Sequence, residues 1–406
     1  MMTSPDRCVT GGFDTHADVN VGAVFDSRSR RVIGRASFPT TSAGNAAALE
    51  WLCRHGAVDA VGIESTGSYG AGLSRHLAAA GVKVVEVNRP EPIDRRFDGK
   101  DDYLDAEAAA RAVLSGRAVA VPKSGDGPVE AIRALEIAYD SAMRDRTEAI
   151  NQFKALLVRA PAEFRDRLAV LPFRHQLRTA RRFRDTNNDV VVVELRHALK
   201  LLAQRIEFLE DQTASLEARM RPIIGEHFPA LIGMHGCGVH SAAQLLMAAG
   251  DNPDRLHSDA AFAKLCAACP RPASSGKTTR YRLDRGGDRR ANKALFRIVL
   301  VRMKTDDRTR AYVARRVAEG KSKREIIRCL KRFVAREVFN AITNPPPPHP
   351  NGPELRALRI AAGLTMEAVA IGAGVSYQRL SRIERGLEHT THITTKAHTW
   401  ITTMTT

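Results

Sequence analysis

Four acidic side chains, distant in sequence, have the chemistry to hold divalent cations. Asp14 closes the apolar segment CVTGGFD (8–14), Glu64 closes VDAVGIE (58–64), and Asp102 and Asp105 open an alanine-rich stretch. Three residues apart at a helix start, Asp102 and Asp105 project from one face of its first turn. Acids at strand ends and a helix start can meet above the edge of a mixed sheet, where they repel unless a cation neutralises them. Oxygen ligands select Mg²⁺, with Mn²⁺ as the alternative, over zinc. Two such ions activate a nucleophile and stabilise the departing oxygen in phosphodiester transfer. Taken singly, each acid reads equally well as a cap or strand-end residue. Asp98 and Asp101 compete at the same turn. His16 and Asp18 read as residues that orient substrate or ligands, not as metal ligands.

For these acids to converge, the first 120 residues must build the sheet. CVTGGFD (8–14), VNVGAVF (19–25) and RVIGRASF (31–38) are apolar segments joined by short polar turns, the pattern of hairpins. TSAGNAAALEWLCRHG (41–56) is a predicted helix, with Thr41 or Ser42 as N-cap and Gly56 as its stop. The strand VDAVGIE (58–64), the helix GAGLSRHLAAAG and the strand VKVVEV (82–87) follow. Strands first antiparallel and then separated by helices predict an α/β fold with a mixed sheet and helical crossovers. A helix from about Asp101 to Gly116 completes this part.

Beyond a Pro/Gly-rich break (122–128), the chain turns helical. Leu195, Leu199, Leu202, Ile206, Leu209, Thr213, Leu216, Met220 and Ile223 follow each other by alternating steps of four and three. That pattern predicts a coiled-coil spacer, either between chains or folded on residues 129–160. A second, mainly helical domain comes next. Its Gly233, Gly236 and Gly238 precede an apolar helix, where close glycines let backbone N–H groups approach an anion; an ordinary helix–helix turn has the same sequence. NPPPPHP (344–350) is a stiff linker. Residues 354–386 divide into three short helices, with Thr365 and Ser376 as caps, in a helix-turn-helix layout that would turn Tyr377, Gln378, Arg379 and Arg382 toward DNA. The Thr- and His-rich end carries no periodicity and predicts a flexible tail. The expected domains are therefore 1–125, 126–228, 229–343, a linker 344–353, a helix-turn-helix-like module 354–388 and a tail 389–406.

Charge narrows the choice of partner. In 406 residues, Lys+Arg 62 exceed Asp+Glu 45 for a net charge of +17. Residues 1–125 balance at 15 of each sign, whereas 264–340 hold 23 basic and 7 acidic side chains. Such a local field attracts a polyanion, nucleic acid above all. Within it, Ser275 sits beside Lys277, Arg280, Arg282, Arg285, Arg289, Arg290 and Lys293, a setting that holds a backbone phosphate and offsets developing charge. Ser274 competes as the reactive hydroxyl, and a phosphate-binding turn without covalent chemistry fits the same residues. SGKTT lacks the first glycine and the preceding strand of a nucleotide-binding loop. Cys266 and Cys269 have zinc spacing on one side only and read as buried thiols. An apolar content of 44% excludes a chain disordered throughout. The six scattered cysteines suit a reducing cytoplasm, and neither a leader nor a membrane-spanning run is expected.

FDTHAD, VGIESTGSYG, GKDDYLDAEAAARAVLSG and PRPASSGKTTRYRLDRGGDRRANKALFRIVL together resemble the DEDD-type transposases of bacterial insertion sequences that work with a bridge RNA. The similarity covers about residues 8–340. It implies a RuvC-like, RNase H-fold catalytic domain, a coiled-coil spacer and a C-terminal transposase domain. The family's four metal-binding acids map onto Asp14, Glu64, Asp102 and Asp105, with Asp101 standing where members usually have Thr or Ser. Its nucleophilic serine, which attacks DNA and completes an active site shared between the two domains, maps onto Ser275 of the Ser275-Gly276 pair. The implied partners are double-stranded DNA of element ends and target, a structured RNA, and further copies of the chain in a dimer or tetramer. A metal-dependent junction nuclease would share the acids without the serine step. A transcriptional regulator would need only the helix-turn-helix module.

Overall fold

In the computed structural model the described residues are 7–87, 101–184, 189–274, 276, 281–283, 286–344, 352–385 and 391–405. They form two units, Met1–Glu130 with Ala249–His257, and Ala131–Ala248 with Ser258–Thr406.

The first unit is a mixed α/β domain. Its strands are β1 (Cys8–Thr15), β2 (Val19–Asp26), β3 (Val32–Pro39), β4 (Ala57–Glu64) and β5 (Val84–Val87). They lie in the order β3-β2-β1-β4-β5. The first three pair antiparallel as hairpins. β4 and β5 join in parallel, as crossovers through helices require. α1 (Ser42–His55) and α2 (Ala71–Ala79) make those crossovers. Thr41 caps α1 by accepting from Gly44 N, and Gly56 ends it. α1 and α2 cover one face of the sheet over Val9, Phe13, Val61 and Ile63, with Leu52, Leu73 and Leu77 from the helices. α3 (Asp102–Leu114) covers the other face, setting Ala106 and Ala110 on Val21, Ala23 and Phe25.

The second unit is mostly helical. α4 (Pro128–Val158) leads into it, followed by α5 (Ala162–Ala169), α6 (Phe173–Arg181) and the 38-residue α7 (Val190–His227). The four-three row of α7 buries Leu199 and Ile206 against Ala149, Phe153 and Leu157 of α4, with Leu177 and Ala180 of α6. This part of the row thus packs within its own chain. Next come α8 (Pro229–Gly233), α9 (Val239–Ala249) and α10 (Asp259–Leu265). The short pair β6 (Pro270–Pro272) and β7 (Tyr281–Leu283) leads to α11 (Arg289–Thr305), α12 (Asp307–Ala318) and α13 (Lys323–Thr343).

The C-terminal module holds α14 (Gly352–Ala361), α15 (Met366–Gly372), α16 (Tyr377–Glu384) and α17 (Thr391–Thr405). Thr365 caps α15 through its side chain, as the sequence predicts; Ser376 stands at the N-cap of α16 without a side-chain bond. The flexible tail expected over 389–406 is instead α17 along most of its length. Ile393, Ala397 and Ile401, four residues apart, bury a stripe in the module core, where Ala397 and Ile401 join Leu355, Val369 and Leu380. Threonine has low helix propensity, but tertiary packing overrides it, and the hydroxyls of Thr402, Thr403 and Thr405 donate back to carbonyls one turn earlier. Of the proline linker, 345–351 lie outside the described residues. Among the described residues, no helix is long and apolar enough to cross a membrane.

Candidate metal centre

The centre follows from strand alternation. Val9 and Phe13 of β1 enter the core under α1 and α2, so Gly12 and Asp14 turn to the α3 face. Phe13 pairs with Ile63 of the parallel β4. The next residues, Asp14 and Glu64, therefore end adjacent strands side by side and on the same face. Thr15 Oγ1 donates to Glu64 O at 3.0 Å and ties the two ends together. Asp14 is 8% exposed and Glu64 7%.

Two glycines let α3 reach this edge. A Cβ on Gly12 would lie 2.2 Å from Ala106 O and 2.4 Å from Ala110 N; one on Gly62 would lie 2.7 Å from Ala109 O. With neither Cβ present, the helix backbone rests directly on the strands and its N-terminus overhangs their ends. Asp101 is the N-cap, accepting from Tyr103 N at 3.0 Å. The extra acid of this turn is thus spent on capping the helix. Asp102, half-exposed, comes to the centre. His16 Nε2 lies 3.0 Å from Asp14 Oδ2 and 3.6 Å from Asp102 Oδ1. Asp14, His16 and Asp102 each offer a ligand atom, all within 4.8 Å of one another.

The electrostatics match this crowding. Burial pushes the Asp14 carboxyl above the usual carboxylate range; His16 pulls it back, and Asp105 and Asp102 push it further up. Asp105 therefore belongs to the same field, one turn along α3 from Asp101. The carboxylates of Asp14 and Asp102, with Asp105 in the same field, are oxygen donors that fit a hard divalent cation. His16, read from sequence as an orienting residue, is close enough to be a ligand. The FDTH spacing was the available signal, because two residues along a strand lie on one face. Asp18 is exposed, and Asp98 lies outside the described residues. Glu107 is buried on the same helix but is neutralised by Arg35 and Arg111.

The basic candidates divide. Ser275, Lys277, Arg280 and Arg285 lie outside the described residues, in the stretches next to β6 and β7. Arg282 is exposed on β7, paired in register with Arg271. Arg289, Arg290 and Lys293 are exposed on the first turns of α11, whose N-cap is Asp288. Gln378, Arg379 and Arg382 are exposed on α16, with Leu380 and Ile383 of the same helix buried. Cys237 is buried, which pushes its thiol up to about 12, and Cys266 is buried too; both behave as core thiols.

Comparison with known proteins gives matches to three segments of the chain. Residues 11–160 match a transposase family model of the DEDD IS110 type. Residues 229–314 match the transposase IS116/IS110/IS902 family, and 352–392 a helix-turn-helix domain. Over these segments the chain is similar to transposases of the IS110/IS116 type. Its relatives include the insertion element IS110 uncharacterized 43.6 kDa protein of Streptomyces coelicolor, 31% identical over 134 residues. That match covers 32% of this chain and 33% of the Streptomyces protein, so it spans only a third of that relative's length. The transposase for insertion sequence element IS1328 of Yersinia enterocolitica is 26% identical over 244 residues, 57% of this chain and 67% of that protein. The first family match begins in β1 and includes Asp14, Glu64, Asp102 and Asp105; the second includes Ser275.

Proposed function

We propose that the chain is a metal-dependent DNA recombinase that excises and inserts its own element. The observation that carries this reading is the meeting of Asp14, His16 and Asp102, from segments nearly ninety residues apart, within 4.8 Å. Asp14, Glu64, Asp102 and Asp105 would hold Mg²⁺ or Mn²⁺, which when bound supplies Lewis-acid stabilisation of the reacting phosphodiester. Asp14, the most deeply set of the acids near His16, fixes the position of the centre. His16, beside both Asp14 and Asp102, orients their carboxylates. Ser275 supplies the nucleophile: its Oγ forms an ester with the DNA phosphorus as a sugar oxygen leaves with a proton.

The basic segment supports partners of two kinds. Arg282, Arg289, Arg290 and Lys293 hold phosphates of DNA and of a structured guide RNA, reading backbone shape and not bases. Gln378, Arg379 and Arg382 bring the helix-turn-helix module to element DNA. Two DNAs must be joined, which calls for a dimer or tetramer.

The test uses the full chain, a duplex spanning an element boundary, and the RNA of the element's flank. Strand exchange should require Mg²⁺ or Mn²⁺ and disappear in Asp14→Asn and Asp102→Asn, with nucleic-acid affinity kept. A denaturation-resistant adduct should form and be lost in Ser275→Ala. Exchange by either aspartate variant at the unmutated rate would overturn the centre. Metal-dependent cleavage without an adduct would replace recombination by simple nuclease action, and full activity after removal of all RNA would overturn the guide.

A further inference from the structure

A second cluster of metal-binding groups lies in the helical unit, with Arg290 beside it. Glu136 and Asp140 are four residues apart on α4, and His240 and Gln244 four apart on α9, so each pair shares one helix face. The two faces meet. Glu136 Oε1 and His240 Nδ1 approach to 2.6 Å, and His240 Nε2 lies 3.8 Å from Asp140 Oδ1. Glu136, Asp140 and His240 offer ligand atoms all within 4.8 Å of one another.

The polar accounting in this cluster is incomplete. Glu136 is 0% exposed. Both of its carboxylate oxygens, with His240 Nδ1 and Gln244 Oε1, are buried and lack an aligned hydrogen-bond partner among the described residues. The 2.6 Å approach is close, but it does not have the alignment of an N–H···O bond. Buried polar atoms are otherwise nearly always satisfied, and a buried carboxylate without compensation is costly. These four atoms lie in one cluster, in which Gln244 Nε2 stands 3.1 Å from His240 Nε2, and they mark a place for a ligand. On the rim, Arg290 Nε stands 3.7 Å from Asp140 Oδ2. The Tyr139 ring packs against His240, with centroids 4.7 Å apart and the planes tilted by 39°.

We propose that Glu136, Asp140 and His240, with Gln244 Oε1 as a fourth donor, bind a borderline divalent cation that pins α4 to α9. Imidazole with carboxylate and amide oxygens suits Zn²⁺, Mn²⁺ or Co²⁺ better than Mg²⁺. The site is a brace for the helical unit and has no solvent-open position on Glu136 for substrate. Without a cation, burial holds the Glu136 carboxyl above its ordinary range, opposed by His240 and Gln244.

The experiment uses the chelator-stripped full chain carrying Asp14→Asn and Asp102→Asn, so that the first centre is removed, and titrates Zn²⁺ by calorimetry. One equivalent should bind and raise the melting temperature. Adding His240→Ala or Glu136→Gln should weaken that binding at least tenfold. Asp140→Asn, at a partly exposed position outside the apolar core, should weaken it as well. Co²⁺ should give visible absorption bands that vanish in the His240 variant. Failure of the double variant to bind Zn²⁺, or unchanged affinity in folded Asp140→Asn and Glu136→Gln proteins, would overturn the site.

Discussion

Gly12→Ala isolates the device that positions the acids without touching any of them. The added methyl carbon would lie 2.2 Å from Ala106 O, and ordinary contact begins at 3.4 Å. α3 must therefore retreat by about 1 Å, because the obstacle is helix backbone and cannot rotate aside. Overpacking of this kind costs on the order of 1–3 kcal/mol, a loss the unit can survive. A displacement of about 1 Å at reacting groups costs on the order of a hundredfold in rate. Strand cleavage and Mn²⁺ affinity should therefore fall far more than thermal stability. Gly72→Ala, in α2, is the control: its methyl would meet only Asn45 Nδ2, at 3.4 Å, and helix propensity favours alanine by about 0.5–1 kcal/mol. Single-turnover cleavage, Mn²⁺ titration and thermal melting on both variants decide the matter. A Gly12→Ala protein with unchanged cleavage and metal affinity would refute the view that direct backbone contact of α3 on β1 sets the centre.

Further outcomes follow from other parts of the molecule. Glu384→Ala breaks the buried pair in which Arg359 Nε and Nη2 donate to Glu384 at 2.8 and 2.7 Å; limited proteolysis and melting should show the module weakened by roughly 3 kcal/mol. Removal of residues 391–406 should expose the core around Leu355 and Val369 and make the module protease-sensitive, where a flexible tail would leave it intact. The Cys237 thiol, pushed up to about 12, stays neutral at pH 8; iodoacetamide with mass mapping should therefore label the exposed Cys8 and Cys53 first and leave Cys237 unmodified. Arg289→Glu with Arg290→Glu should weaken nucleic-acid binding and flatten its salt dependence, since fewer counterions are released.

The sheet was readable because its signals are local. Apolar segments of strand length, Thr41 at a cap and Gly56 at a stop are set by neighbouring residues. The acids at the ends of β1 and β4 and at the start of α3 were legible for the same reason. What sequence could not give was the third dimension. Asp101 and Asp102 look alike by local chemistry, and the cap bond to Tyr103 N shows what Asp101 does. Gly12 and Gly62 stood as ordinary strand glycines until α3 was seen lying on them. The Glu136–Asp140–His240 cluster joins two helices a hundred residues apart, and each i, i+4 pair alone is unremarked in a charged helix. α17 went unseen because its threonines argue against a helix locally, while the stripe that holds it gains its stability from other elements.

Whether the distant acids share one cation is tested most directly by iron-mediated hydroxyl-radical cleavage of the full chain, with Fe²⁺ in place of the native ion. Cuts are expected around residues 14–16, around 64 and around 102–105, all suppressed by excess Mg²⁺ and all lost in Asp14→Asn. Cuts confined to one of these segments, or a pattern unchanged in Asp14→Asn, would contradict a shared centre.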